Sequence, residues 1–477
     1  ELAEMYNNVV YHRHQYARIE IFKNHFYIKE YDENVYEIIY KLKKYAESGI
    51  KNYTHSVDLW MKNSGLIIDC DEKKNALRNL FKNSKVAFIY GAAGTGKSTM
   101  INYISSLFKD KQKIFLANTN PAVENLRRKV TAEHAEFVTI TKFLSKDVSN
   151  DCDILCLDEC STISNRDMVR VLQRAQCKLL VLVGDIYQIE SILFGNWFNI
   201  AYKVMPKDSV AELTRPHRTT VQGLIEVWNK VREITEDRLE FITRNGLSST
   251  LDESIFSRTE EDEIVLCLNY DGIYGINNIN KFLQSNNVNP SINWGVLSYK
   301  VGDPVLFNES NRFAPLVYNN LKGKILQIEE EEDCIYFTIE VYTVLNELDV
   351  IGFDLELKES VTDETSVIRF KVGRGGDGND DNDNVENVVP FQVAYAISIH
   401  KAQGLEYESV KVVITSEIEE MVSHNIFYTA ITRAKSKLKI YWSPETEKRI
   451  LENMKVQFND KDYQLFKAKY KEALLKS

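Results

Sequence analysis

From Ile67 onward, short apolar runs alternate with stretches whose apolar residues recur at helical spacing. Lys85–Tyr90, Lys113–Ala117, Phe137–Ile140, Asp153–Leu157 and Leu179–Val183 read as strands. Their alternation with amphipathic helices predicts a mostly parallel sheet covered on both faces. Ahead of them, aromatic and charged residues mix without a chemical motif. Within Asp32–Glu47, however, Val35, Ile38, Ile39 and Leu42 fall at helical spacing, which predicts an accessory helical region.

A second layer of the same kind begins near Ala211 and includes the strand Glu263–Leu268. More chain then intervenes than a loop needs. Val305–Asn308, Gly323–Glu329, Cys334–Val341, Val350–Leu357 and Ser366–Phe370 read as short strands, with turn signals at Gly302-Asp303, Asn319-Asn320 and Gly323. They predict a small all-β insertion of barrel type. The parallel pattern resumes with Phe391–Ile399 and Val410–Ile414, and Leu438–Tyr441 reads as a late strand. The predicted organisation is an accessory N-terminal region over 1–64 and a first α/β domain over 65–210. A second α/β domain follows in two parts, 211–293 and 391–450, divided by a β-rich insertion with an acidic loop over 294–390; 451–477 is a C-terminal tail. No internal repeat is visible.

At 477 residues the chain is long enough for two to four domains. Its net charge of −10 argues against nucleic acid only at face value, because binding depends on where positive charge sits. The densest acidic runs are Glu329–Asp333 and Asp377–Glu386, and the Gly/Asp/Asn-rich stretch from Gly373 to Asp380 reads as a surface loop. No stretch reaches the roughly 18–20 apolar residues of a membrane span, and no signal peptide is visible. Seven cysteines in such a chain read as reduced thiols of a cytoplasmic protein. Cys152, Cys156 and Cys160 cross an apolar strand, where cysteine serves as a small hydrophobe rather than a metal ligand. The chain begins at Glu1 without an initiator Met, which leaves room for an upstream domain, while the acidic Glu329–Asp333 run and the motif-free N-terminal segment leave room for a protein partner.

The chemistry begins with Gly91-Ala92-Ala93-Gly94-Thr95-Gly96-Lys97-Ser98, followed by Thr99. It matches G-x₄-G-K-[ST] in full between an apolar strand and a helix. Glycines let the backbone wrap phosphate, and N–H groups at the helix start point at the anion. Lys97 is expected on the β- and γ-phosphates, and the Ser98 hydroxyl on Mg²⁺. Asp158 and Glu159 end the strand Asp153–Leu157, where ligands of such sheets sit. Asp158 is expected to hold Mg²⁺, and Glu159 to orient and deprotonate the attacking water. Gln188, after the strand ending in Val183-Gly184-Asp185, is a candidate sensor of the γ-phosphate.

This set resembles the superfamily 1 helicases, most closely the RecD-like branch, over about residues 65–445. Thr214-Arg215-Pro216-His217-Arg218 looks like the family's motif IV, Ala394 to Gly404 like motif V, and Tyr428 to Ala434 like motif VI. The resemblance implies two RecA-like P-loop motor domains with ATP between them, the insertion lying in the second. It implies arginine fingers Arg218 and Arg433 from the second domain, with Arg215 the rival to Arg218. A guanidinium matches the charge that spreads over the phosphoryl oxygens. By similarity, Gly404 and Glu406 line the nucleotide cleft.

For nucleic acid, Ala117 to Ala122 resembles motif Ia and offers Thr119, Asn120 and Pro121. Thr141, Lys142 and Phe143 look like the next single-strand contact, and Ser398 and His400 complete the track. Hydroxyls and backbone N–H groups hold phosphates without reading sequence, while Phe143 either stacks on a base or packs in the core. No Cys or His stands near His400 to make it a zinc ligand. One departure is Lys73, which stands where the family usually has a Gln that reads adenine. The resemblance implies an ATP- and Mg-dependent helicase moving on single-stranded DNA, rather than RNA, in the 5′-to-3′ direction. Two rivals remain: a nucleic-acid-stimulated ATPase or translocase that never separates strands, acting in a defence or repair system, and a helicase-like module built for a protein partner.

Overall fold

The computed structural model describes residues 2–145, 150–189, 191, 194–215, 219–308, 312–314, 316–360, 362–374, 387–455 and 460–470. They belong to two compact units, Glu1–Ile225 with Lys455–Ser477, and Glu226–Met454. No helix among the described residues is long and apolar enough to cross a membrane.

The first unit is built on a six-stranded parallel sheet. Its order is Ala135–Thr139, Lys113–Ala117, Asp151–Leu157, Gln176–Gly184, Val86–Gly91 and Val210–Leu213. Every residue of Val86–Gly91 is buried. Successive side chains of that strand go to opposite faces. Phe88 joins one apolar cluster with Leu155, Leu182 and Trp197, and Ile89 joins another with Leu77, Met100 and Val181. The helix Lys29–Ala46 lays Val35, Ile38, Ile39 and Leu42 into the first cluster, as their spacing predicts. The N-terminal region also holds a hairpin, Ile19–Phe22 with His25–Ile28.

Two boundaries of this unit differ from the sequence expectation. Val210–Leu213 pairs in parallel with Val86–Gly91, from Phe88↔Val210 to Gly91↔Leu213, so the second domain does not begin at 211. Its apolar residues complete the edge of the first sheet, and the unit extends to Ile225. The C-terminal segment is also no separate tail. The helix Asp460–Lys469 packs Phe466 into the first unit's core, and Lys469 Nζ and Tyr470 Oη bond Asp32 Oδ2 at 2.5 and 2.6 Å.

The second unit has its own parallel sheet, ordered Ala396–Ser398, Glu263–Cys267, Tyr407–Val413, Ala434–Tyr441 and Ser248–Ser249. The insertion is a six-stranded antiparallel sheet: Glu356–Lys358, Ser366–Gly373, Cys334–Val341, Lys322–Glu330, Pro304–Phe307 and Phe391–Val393. Phe307, Phe313, Phe337, Phe370 and Phe391 fill its core. Among the described residues its two edge strands do not pair, so the sheet is open where a barrel was predicted. The strand expected over Val350–Leu357 shrinks to Glu356–Lys358, because Gly352 turns the chain at φ 90°. Phe391–Val393 belongs to the insertion, and the chain crosses into the parallel sheet only at Ala396. Of the acidic runs, Glu329 and Glu330 pair with Arg369 and Arg374 at 2.6 and 3.1 Å. The run Asp377–Glu386 lies outside the described residues.

Candidate functional site

The phosphate loop joins Val86–Gly91 to the helix Lys97–Leu107, as its sequence position predicts. Gly94 and Gly96 take φ values of 77° and 84°, a left-handed conformation that suits glycine. At Gly91 a Cβ would meet Thr95 Oγ1 at 2.5 Å, so this glycine makes room for the loop's own packing. The Thr95 hydroxyl donates to the Ala92 carbonyl at 2.9 Å. Lys97 Nζ lies across the loop and donates to the carbonyls of Gly91 and Ala92 at 2.8 and 3.0 Å. Ser98 and Thr99 occupy the first turn of the helix, where unpaired N–H groups favour an anion.

Asp158 and Glu159 follow the strand Asp151–Leu157 at the carboxyl end of the same sheet. Asp158 Oδ1 accepts the backbone N–H of Glu159 at 2.8 Å, and Glu159 sits at φ 53°. Burial raises the Asp158 carboxyl above its ordinary value, opposed by that N–H and by the charges of Lys97 and Lys129. Lys129, at the end of the helix Asn120–Lys129, is a participant that no motif marked. Ser98 and Asp158 together offer a hydroxyl and a carboxylate, the oxygen donors a hard divalent cation takes. Gln188 follows the strand Gln176–Gly184, and its N–H donates to the Asp185 carbonyl at 3.3 Å.

Lys73 is fully buried and bonds Asp69 Oδ2 at 2.5 Å. Its neighbour Glu72 accepts both the N–H and the hydroxyl of Thr214 at Oε1, at 3.0 and 2.8 Å. The start of the motif IV segment is therefore tied into the first unit, contrary to the expectation that this segment belongs to the second. Arg218 lies outside the described residues.

In the second unit Arg433 is 3% exposed. Its guanidinium donates to the carbonyls of Thr429 and Leu405, at 2.9 and 3.2 Å, and to the Thr432 hydroxyl at 3.3 Å. The expected finger is thus folded into its own unit. Gly404 is buried at φ 79°, and the carbonyl of Glu406 accepts from Lys322 of the insertion at 3.2 Å.

The expected nucleic-acid contacts divide by burial. Thr119, Asn120, Thr141, Lys142 and His400 are exposed. Thr119 caps its helix by accepting the Ala122 N–H at 3.4 Å. Pro121 is buried in the first turn of that helix, where its missing N–H costs nothing, and it presents no surface to a strand. Phe143 is wholly buried in the first unit's core, with the Arg174 guanidinium 5.7 Å from its ring centre, so core packing excludes base stacking. Ser398 is 7% exposed and its hydroxyl accepts the Lys401 N–H at 3.2 Å, which makes it a turn cap. Cys152, Cys156 and Cys160 are buried, and burial pushes the Cys152 thiol up to about 12. Among the described residues no group of three or more His, Cys, Asp or Glu is placed to hold a metal ion.

Residues 70–252 match the AAA domain family, and residues 393–441 match the UvrD-like helicase C-terminal domain. An uncharacterized protein of Methanocaldococcus jannaschii is 24% identical over 77% of this chain and 37% of its own length. The chain thus spans little more than a third of that relative. The RecBCD enzyme subunit RecD of Buchnera aphidicola is 23% identical, over 81% of this chain and 78% of its own. The ATP-dependent DNA helicase Pif1 of Campylobacter jejuni is 23% identical, over 74% and 88%. A Bacteroides Pif1 helicase, solved in complex with ADP-AlF3 and single-stranded DNA, shares the fold at a TM-score of 0.50 and 16% identity, covering 85% of this chain and 98% of that one.

Proposed function

We propose that the chain is a superfamily 1 helicase of the RecD/Pif1 type, which its two matched domain families and its RecD and Pif1 relatives support, and that it couples ATP hydrolysis to 5′-to-3′ movement along single-stranded DNA. One observation carries the reading: the Gly91–Ser98 loop and the Asp158-Glu159 pair stand at the carboxyl ends of strands in one parallel sheet. The loop's N–H groups and Lys97 bind the phosphates, for which Lys97 exchanges its bonds to the Gly91 and Ala92 carbonyls. Ser98 and Asp158 would hold Mg²⁺, which would supply positive charge against the transferring phosphoryl group. Glu159 orients the attacking water and takes its proton, and Gln188 senses the γ-phosphate. Arg433, together with Arg218, neutralises charge that develops in the transition state, which requires Arg433 to leave the Thr429 and Leu405 carbonyls.

For the strand, exposed Thr119, Asn120, Thr141, Lys142 and His400 are the contacts we assign, all suited to phosphate rather than base recognition. The Pif1 relative, an ATP-dependent DNA helicase, supports DNA over RNA as the track. With no membrane-crossing helix among the described residues and seven free cysteines, the reading is of a cytoplasmic enzyme. The test measures ATPase activity with and without oligo(dT) or oligo(U), then unwinding of duplexes tailed at either end. Stimulation by oligo(dT) and unwinding of the 5′-tailed duplex are expected. An ATPase indifferent to every nucleic acid would sink the motor reading, and stimulation without unwinding would reduce it to a translocase.

A further inference from the structure

None of the steps above uses Lys73. Its side chain is 1% exposed, whereas its partner Asp69 is 37% exposed. Lysine is rarely buried so completely. The reason lies in what it touches. A Cβ built on Gly96 would stand 2.5 Å from Lys73 Nζ and 3.0 Å from its Cε, and 3.5 Å from Thr99 Oγ1. The ammonium therefore fills the space that any side chain at Gly96 would occupy. It lies directly against the residue that caps the helix Lys97–Leu107. Gly96 is constrained by its φ of 84°, and the Lys73 ammonium packs against its open side.

An ion pair made for stability alone is a poor reason to bury an ammonium, since an apolar side chain of similar length fills the same space without the desolvation cost. What an apolar chain lacks is charge. The pair is oriented, with the cation dry against the phosphate loop and the carboxylate toward water. Low dielectric around the cation lets its field reach the helix start with little screening.

We propose that Lys73 is a positioning residue for the triphosphate: anchored by Asp69, it props Gly96 and sets a fixed positive charge behind the phosphate-binding turn, raising ATP affinity without touching the nucleotide. This rests on the nucleotide-binding reading of the Gly91–Ser98 loop.

The experiment is equilibrium titration of the full chain with Mg·ATP, with Tm and oligo(dT) affinity measured alongside. Lys73→Met keeps the stem and removes the charge. ATP affinity is expected to fall tenfold or more, while oligo(dT) affinity stays within twofold. The exchange Asp69→Lys with Lys73→Glu retains an ion pair but reverses its direction. It is expected to recover Tm relative to Lys73→Met and still to lose at least tenfold in ATP affinity. If either variant binds ATP within twofold of wild type, the proposal is overturned, and recovery in the exchange alone would show that Lys73 merely holds the fold. Should Lys73→Met not fold, Lys73→Leu replaces it with the same expectation. Failure of the wild-type chain to bind Mg·ATP would instead refute the nucleotide-binding reading.

Discussion

The backbone N–H of Glu159 donates to Asp158 Oδ1 at 2.8 Å, with Glu159 held at φ 53°. The left-handed turn ends the strand immediately after Leu157 and releases Glu159 from the alternation of the sheet. Such a conformation costs a non-glycine residue roughly 1–2 kcal/mol, and strain of this kind gathers at functional sites. Glu159→Gln is expected to bind Mg·ATP like the wild type and to lower kcat about 10²–10⁴-fold. Glu159→Gly is expected to be as inactive but more stable by about 1 kcal/mol, since glycine accepts this φ. Single-turnover ATPase and urea unfolding report the two effects, and a kcat for Glu159→Gln within tenfold of wild type would remove Glu159 from catalysis.

Much of this site was legible because its chemistry needs contiguous residues. Gly91–Ser98 and Asp158-Glu159 each carry their meaning within one short segment, and strand–loop–helix context is readable around them. What escaped depends on distant partners. By sequence alone the four residues Val210–Leu213 fall at the start of the second layer, since nothing in them says which sheet edge they complete. The insertion's alternation predicted strands, whereas closure depends on register between its edge strands, Glu356–Lys358 and Phe391–Val393. Phe143 and Ser398 carry the right functional groups for a nucleic-acid track, and only packing reveals that neither faces solvent. Lys73 was visible as a departure from the family pattern, but its approach to Gly96 was not.

Because Phe143 is wholly buried, its substitution separates packing from nucleic-acid contact. Phe143→Ala is expected to destabilise the first unit by about 3–5 kcal/mol, and Phe143→Leu, closer in volume, by less than about 1.5 kcal/mol. A stacked aromatic contributes about 1–3 kcal/mol per base. Phe143→Leu should therefore leave oligo(dT) affinity within twofold if the ring is core, as anisotropy of a labelled oligonucleotide would read. A larger loss in a stable variant would return Phe143 to the binding track.

Asp32 ties the two ends of the chain together through Lys469 and Tyr470. Its side chain is 6% exposed and that of Lys469 16%, so removing one partner strands the other. Asp32→Ala is expected to cost roughly 3 kcal/mol, toward the lower end for a broken buried pair. Burial alone would lower the Lys469 pKa, but its bonds to Asp32 and Tyr27 outweigh it and hold the group above the ordinary lysine value. A raised pKa of this sign stabilises fully below the unfolded value and is lost only as pH climbs through the folded one. The Lys469 contribution should then be flat between about pH 6 and about pH 9. Urea titrations of both proteins across that range test it; a difference that shrinks at pH 9 would show that the amine titrates early.

The cysteines provide a test of the run Cys152, Cys156 and Cys160 that is independent of nucleotide or DNA. All three are buried, and burial raises each thiol, that of Cys152 to about 12. Only the thiolate reacts, so at pH 8 a thiol at that value presents an active fraction of about 10⁻⁴. Cys267 is buried and raised for the same reason. Cys334, half-exposed at the end of its strand beside Glu331, carries no such burial. Native labelling with a disulfide-exchange reagent at pH 8 is therefore expected to modify Cys334 first, with the three cysteines of the run reacting only after denaturation. A metal site would behave differently. Coordinating thiols are deprotonated, so a chelator would expose reactive thiolates and lower Tm. Peptide mapping after labelling, with and without chelator, separates these cases: fast modification of Cys156 or Cys160 on chelation would show ligands, and unchanged labelling and Tm would show small apolar residues filling a strand.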